Sequence, residues 1–335
     1  MISLKNNKIK ALAAGLMLTL ALGALGCGGD KKEAGAKSEK VNVGIVQLVE
    51  HEALDAANKG FVDGLASKGY KEGQNITFDK QNAQADQSNL QNIAHRFVNN
   101  KVDLICAIAT PAAQTVANVT SDIPIVATAV TDYKTAKLVK DDAKPGTNVT
   151  GTTDMNPVAE QLDLLLKLVP NAKTIGTIYC SSEVNSQLQV ELLKKAAAAK
   201  GITVKEATVS TVNDIQQAAR SLAGDVQAVY VPTDNVLASA IPTLISVTEE
   251  AKLPVICAEG GMVRAGGLAT LGVDYYKLGF QTGVMAADIL SGKAKPADMA
   301  IQAQKEFKPT INLKEAAKIG LKVPEDLLKG AEVIK

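Results

Sequence analysis

The chain carries the same structural plan twice. Val41 to Lys80 opens with VNVGIVQLV, a continuous apolar run of the kind that fills a strand buried on both faces. The residues after it set Leu54, Ala57, Phe61, Val62 and Leu65 on one helical face before Gly69 stops the helix. Lys173 to Glu206 repeats this strand, loop and helix: Gly44 and Gly69 stand 25 positions apart, and so do Gly176 and Gly201. The echo goes on. SNLQNIAHRFVNNKVDLICAIAT at Ser88 to Thr110 matches NDIQQAARSLAGDVQAVYVPTD at Asn213 to Asp234, and IPIV at Ile123 to Val126 matches LPVI at Leu253 to Ile256. The offset, roughly 130 residues throughout, is the usual size of one domain. Two similar domains on one chain are therefore expected.

Strands are expected at 41–49, 75–80, 102–109 and 123–129 in the first copy, and at 173–180, 201–206, 226–231 and 253–258 in the second. Strands alternating with amphipathic helices give an α/β fold whose parallel sheets are covered on both faces, so each lobe should be doubly wound. Ligands of such sheets meet the loops at the carboxyl ends of the strands. PGTNVTG at Pro145 to Gly151 and GGLATLGV at Gly266 to Val273 read as passages between lobes. A helix is expected over Asn156–Leu168, capped by Asn156 with Pro157 at its first position. The helix pattern Tyr275–Leu290 has no counterpart ahead of the second copy and should pack on the first lobe. The tail, with a helix at Leu313–Ile319, should return to the second. This assigns 41–150 plus 274–305 to lobe 1 and 151–273 plus 306–335 to lobe 2, with about three crossovers forming a hinge beside a central cleft.

Composition narrows the function. Lys and Arg (36) nearly balance Asp and Glu (35), so no basic field exists to attract nucleic acid. Aromatic residues are only 3% of the chain and Trp is absent, which leaves no platform for stacking bases. Cys27, Cys106, Cys180 and Cys257 show no metal-ligand spacing, and the last three fall within or at the end of expected buried strands, where Cys acts as a small core residue. A bridge between Cys180 and Cys257 stays open. No GxGxxG follows Val46 or Ile178, and no P-loop, GxSxG, HExxH or Cys/His cluster occurs. Neither a cofactor nor a metal is expected.

Residues 1–27 read as a targeting segment. Lys5, Lys8 and Lys10 supply a positive start, and Ala11 to Leu25 is an apolar run too short to span comfortably as a permanent anchor. ALGC at Ala24 to Cys27 resembles the lipobox of bacterial lipoproteins, with Ala24 where that pattern prefers Leu. The resemblance implies that Cys27 becomes the lipidated first residue; the plain alternative is a conventional signal peptide with an incidental cysteine. GGDKKEAGAKSEK, at 28–40, has too few apolar residues to repay ordering and reads as a tether.

Several stretches, namely QLVEHEALDAANKGFVDGL, ATPAAQ, IPIVATAVTDY, GTNVTGTTD, VNSQ, VPTDN and GGLATLGVDYYKLG, together resemble the type I periplasmic substrate-binding proteins of ABC importers. Within that family they are similar to a branch associated with tryptophan and other aromatic amino acids. The resemblance covers roughly 41–325. It implies capture of a small solute outside the cell, delivery to the transmembrane subunits of a permease, and no chemistry on the solute. Two other readings stand beside it: a lipoprotein of the same fold that senses a ligand without transport, and a two-domain α/β enzyme.

Candidate ligand contacts lie in the loops after the strands. Helix starts at Thr110 and at Ser181 and Ser182 suit a carboxylate. Asp234, followed by Asn235, is placed to accept an ammonium group, or to cap the next helix, or both. Asn185 and Ser186 stand where the first copy has Ala53 and Leu54, which suggests that the second lobe supplies more hydrogen bonds. Glu259, beyond the strand PVICA, faces either the ligand or water. On the first lobe, Gln47, Glu50 and His51 occupy the end of the opening strand and its loop, and His51 either lines the cleft or is structural. Thr131, Asp132 and Tyr133 follow IPIVATAV, with Tyr133 offering an apolar face to a ligand. Tyr275 and Tyr276 are assigned to packing, and His95 to the surface.

Overall fold

The computed structural model describes residues 40–335. The targeting segment, Cys27 and nearly all of the expected tether lie outside the described residues. The chain opens with β1 (Val41–Gln47), α1 (Glu52–Ser67), β2 (Ile76–Asn82), α2 (Gln87–Asn99), β3 (Leu104–Ile108), α3 (Thr110–Val119), β4 (Ile125–Val130) and β5 (Val149–Thr153). It continues through α4 (Val158–Leu168), β6 (Thr174–Cys180), α5 (Val184–Ala198), β7 (Thr203–Val209), α6 (Ile215–Ala223) and β8 (Val229–Val231). Next come α7 (Asn235–Ser239), α8 (Ile241–Glu250), β9 (Val255–Cys257), α9 (Gly260–Arg264) and β10 (Ala269–Gly272). The last part holds α10 (Tyr275–Leu290), β11 (Gln302–Ala303), β12 (Lys308–Asn312), α11 (Leu313–Lys318) and β13 (Glu332–Ile334).

These elements build two sheets. One has six strands in the order β11-β5-β4-β3-β1-β2, all parallel. The other has seven in the order β13-β12-β10-β9-β8-β6-β7, parallel except where β12 runs against β10. Interior strands such as β3 and β4 are buried at every position, whereas the edge strands β2 and β7 expose alternate polar residues that discourage pairing with another chain. The chain passes between the sheets three times, after β5, after β10 and after β11.

The repeated glycines have a packing cause. A Cβ on Gly44 would lie 2.7 Å from the Phe97 ring, and one on Gly176 would lie 2.9 Å from Leu222 Cδ1, so in each lobe a helix crosses the first strand at a point where no side chain fits.

Three sequence expectations change. PGTNVTG and GGLATLGV are not passages: each feeds a buried strand, β5 and β10, and the crossings follow them. Their glycines and threonines hid the strand pattern. The helix expected from Asn156 starts at Val158, and Asn156 instead donates through Nδ2 to the Asp154 carbonyl and to Thr233 Oγ1. No bridge joins Cys180 to Cys257, since Cys106, Cys180 and Cys257 are all free buried thiols.

After leaving the second sheet, α10 lies against α1 of the first lobe with almost nothing between the two backbones. A Cβ on Gly60 would sit 2.1 Å from the Tyr276 carbonyl oxygen, one on Gly279 would sit 1.9 Å from that of Ala57, and Gly64 and Gly283 make the same kind of approach. The crossings are also tied together. The Asp274 amide donates to Gln304 Oε1 at 3.1 Å and Gln304 Nε2 donates back to the Asp274 carbonyl, joining the second crossing to the third.

Gly279→Val should lower stability by about 3 kcal/mol, at the upper end of overpacking costs, because backbone must move to admit the side chain. Gly224→Ala, whose added methyl meets nothing within 4 Å, should change it by less than about 0.5 kcal/mol. Urea denaturation of both variants against the parent chain measures the difference.

Candidate functional site: a carboxylate-lined cleft between the sheets

The two sheets face each other across a nearly closed cleft that leaves a cavity of about 10 Å³, room for no more than about one water. His51 and Leu54 at the start of α1, Ala129 in β4 and Asp154 just beyond β5 line it from the first sheet's side. Thr233, Asp234 and Asn235 beyond β8, Ala238 in α7, and Glu259 and Met262 beyond β9 line it from the second, with Tyr275 at the hinge. The lining thus comes mainly from the carboxyl ends of parallel strands, where loops leave the sheet. Ala129 holds a φ of 56° although it carries a Cβ, local strain of the kind that clusters at ligand walls.

Three buried carboxylates line the space, and a fourth, Glu183, lies behind them. Asp234 accepts from the Leu237 amide (2.9 Å), the Cys180 amide (2.6 Å) and Ser186 Oγ (2.8 Å). Glu183, just behind, accepts from the Asn235 amide (3.1 Å), from Asn235 Nδ2 (2.6 Å) and from Asn185 Nδ2 (2.8 Å). Glu259 caps α9 through the Gly261 and Met262 amides at 2.5 and 2.7 Å. Asp154, fully buried, accepts from the side chains of Thr131 (Oγ1, 2.9 Å) and Tyr275 (Oη, 2.6 Å). Burial raises the pKa of all four: Glu183 is pushed to about 8, with the nearby Asp234 charge adding to the effect, Glu259 is pushed to about 7, and Asp234 and Asp154 rise despite their hydrogen bonds.

His51 and Arg264 make polar contacts across the cleft. His51 Nε2 meets Asn235 Oδ1 at 3.3 Å, and since Asn235 Nδ2 donates to Glu183, its oxygen is left to accept from the imidazole. Burial holds the His51 pKa below its usual value, which favours the neutral ring. Arg264 of α9 pairs with Glu52 of α1 and with Glu332 of β13. Such exposed pairs add at most about 1 kcal/mol each.

Of the residues singled out from sequence, the cavity gathers His51, Asp234, Asn235 and Glu259. Glu259 is buried, so the reading in which it faces water does not hold. The carboxylate of Asp234 is taken up by capping α7 and by Cys180 and Ser186, not held open for an ammonium group. Asn185 and Ser186 are buried and brace Glu183, Thr233 and Asp234 from behind. Thr131 fixes Asp154, whereas Asp132 caps its own turn through the Thr135 amide. Tyr133 does not cover the cavity: its ring is buried and its hydroxyl bonds the Ala127 and Thr152 carbonyls, tying β4 to β5. Gln47 turns to α1, donating to Asp55 and accepting from Asn58. Thr110 opens α3 with its hydroxyl unpaired, and Ser182 is exposed at an outer groove beside Pro111 and Val236. His95 is exposed, as expected.

Asp154, Glu183 and Thr233 are not singled out by the sequence, and Tyr275 is assigned there to packing. Asp154 ends the stretch VTGTTD, and once VTGTT is recognised as a strand the aspartate falls at the carboxyl end where ligands gather. Tyr275 was assigned to packing because its helix pattern gave no sign that its hydroxyl returns to the cleft.

The buried carboxylates fix a pH dependence. Burial pushes the Glu183 carboxyl up from the ordinary 4.5 to about 8, so its protonation stabilises the fold fully below about pH 4.5 and that contribution is lost as pH rises through 8. Melting temperatures of ligand-stripped protein should fall between pH 5 and 8, and Glu183→Gln should flatten that slope. An unchanged slope would show that Glu183 does not carry it.

The family model described as ABC transporter substrate binding protein matches residues 42–335. A tyrosine-binding protein of Clostridioides difficile is 48% identical over 265 residues, covering 79% of this chain and 76% of that protein. Among solved structures, an ABC domain from Streptococcus pneumonia in complex with L-Trp is 41% identical, with a TM-score of 0.85 over 89% of this chain and 100% of the other. A ligand-free, open substrate-binding protein with adhesive properties from Clostridium difficile is 45% identical yet superposes at only 0.68 over 88% of this chain and 99% of the other. At nearly equal identity, the present structure is thus nearer the ligand-bound neighbour than the open one. The two sheets, the enclosed space between them and the match along nearly all of the described residues agree: the chain belongs to the ABC transporter substrate-binding protein family, whose members bind solutes and are not enzymes.

Proposed function

We propose that the cleft captures an aromatic L-amino acid outside the cytoplasm and hands it to the transmembrane subunits of an ABC permease, with lipid on Cys27 holding the protein at the membrane. The lining of the cleft carries this reading: it is apolar at Leu54, Ala129, Ala238 and Met262 and acidic at Asp154, Asp234 and Glu259. Leu54, Ala129 and Met262 suit a flat ring, and the carboxylates suit an ammonium group. The start of α1, beside the cavity, suits the ligand's own carboxylate: it has no side-chain cap, so its first-turn amides are available. The tyrosine and tryptophan in the names of the relatives point to the same class.

Closure then follows from binding. A ligand of micromolar affinity supplies about 8 kcal/mol, enough to outweigh a modest preference for the open form. Among the described residues no helix is long and apolar enough to cross a membrane, so the attachment proposed here rests on Cys27.

In a thermal-shift screen of the twenty amino acids, L-tyrosine or L-tryptophan should raise the melting temperature by several degrees at about a hundred times its Kd. No response from any aromatic amino acid would overturn the ligand class. Uptake of the labelled amino acid should be lost in cells lacking the protein, and Cys27→Ser should move the protein out of the membrane fraction.

A further inference from the structure

The geometry points to Asp154 as the group that reads the ligand's ammonium, and so as the residue that makes the cleft selective for amines. This rests on the reading of the cleft as an amino-acid site and assigns a role within it. Of the four buried carboxylates, three accept backbone amide hydrogens at helix starts. Asp234 and Glu183 each accept amide hydrogens at the start of α7, and Glu259 accepts two at the start of α9 with the Arg264 charge near. Asp154 differs. Its two partners, Thr131 and Tyr275, are neutral hydroxyls, and no lysine, arginine or histidine of the described chain acts on it.

A carboxylate has about four acceptor sites, so two remain on Asp154, and it borders the cavity. Burying that charge without a cation costs several kcal/mol, and an ammonium donating to it removes the cost. A solute without the amine closes the lobes over an uncompensated charge. Selection therefore works by rejection as well as attraction.

The position of Asp154 sharpens its role. It stands on the first crossing, and its Tyr275 partner begins the helix that follows the second, so the bond Tyr275 Oη to Asp154 Oδ2 joins two hinge segments at the cavity wall. Thr131 and Tyr275 are positioning residues that hold the carboxylate toward the space.

The test compares L-tyrosine with 3-(4-hydroxyphenyl)propanoate, which lacks only the amine, by calorimetric titration of the parent protein and of Asp154→Asn. The parent should prefer tyrosine by about 100-fold, the scale of one charged hydrogen bond. In Asp154→Asn that preference should fall below about fivefold, through weaker tyrosine binding with the analogue unchanged or tighter. Equal losses for both ligands would overturn the assignment to Asp154 while leaving the amino-acid site in place. A parent protein that binds both equally would overturn it without any variant, and one that binds neither would overturn the underlying reading as well.

Discussion

The contact between α1 and α10 is the constraint on which the rest depends. Four glycines let two helices from opposite ends of the chain approach until backbone touches backbone, and any side chain there would force them apart. The first lobe is therefore completed by a helix that arrives only after most of the second lobe has been made. That arrangement sets the starts of both helices beside the cavity, with His51 and Leu54 from one and Tyr275 from the other. The site is a product of the closeness of this pair as much as of the strands that point at it.

Much of this architecture is written in the sequence because a parallel sheet covered on both faces needs unbroken apolar runs, and VNVGIVQLV and KTIGTIYC cannot be mistaken for half-exposed strands. The equal spacing of Gly44 and Gly176 from their helix ends reflects one steric demand met twice, under Phe97 and under Leu222. Legibility fails where strands are short and small. VTGTT runs close to the Ala127 backbone and Tyr133, and ATLG close to the Ala258 backbone, so both carry glycine and threonine that imitate a loop.

The site was legible in outline and not in detail. The carboxyl ends of the strands bring His51, Asp234, Asn235 and Glu259 to one cavity between the sheets. What a carboxylate does once buried depends on who else donates to it, and sequence does not reveal that. Asp234 is saturated by amides from two elements, while the side chains that donate to Asp154 are both hydroxyls. Tyr133 misled for a related reason: a hydroxyl near a cleft finds a nearer pair of carbonyls in the sheet.

The three crossings are bonded to one another, the first to the second through Asp154 and Tyr275 and the second to the third through Asp274 and Gln304. Linked in this way they resist twisting and sliding of one lobe past the other, leaving bending as the soft coordinate. Motion of such a body is that of a lever with its pivot inside the binding pocket. A shift of a fraction of an ångström at Asp154 is magnified with distance from the fulcrum, so the far rims, where a partner would feel the difference, travel the most for the least work at the centre.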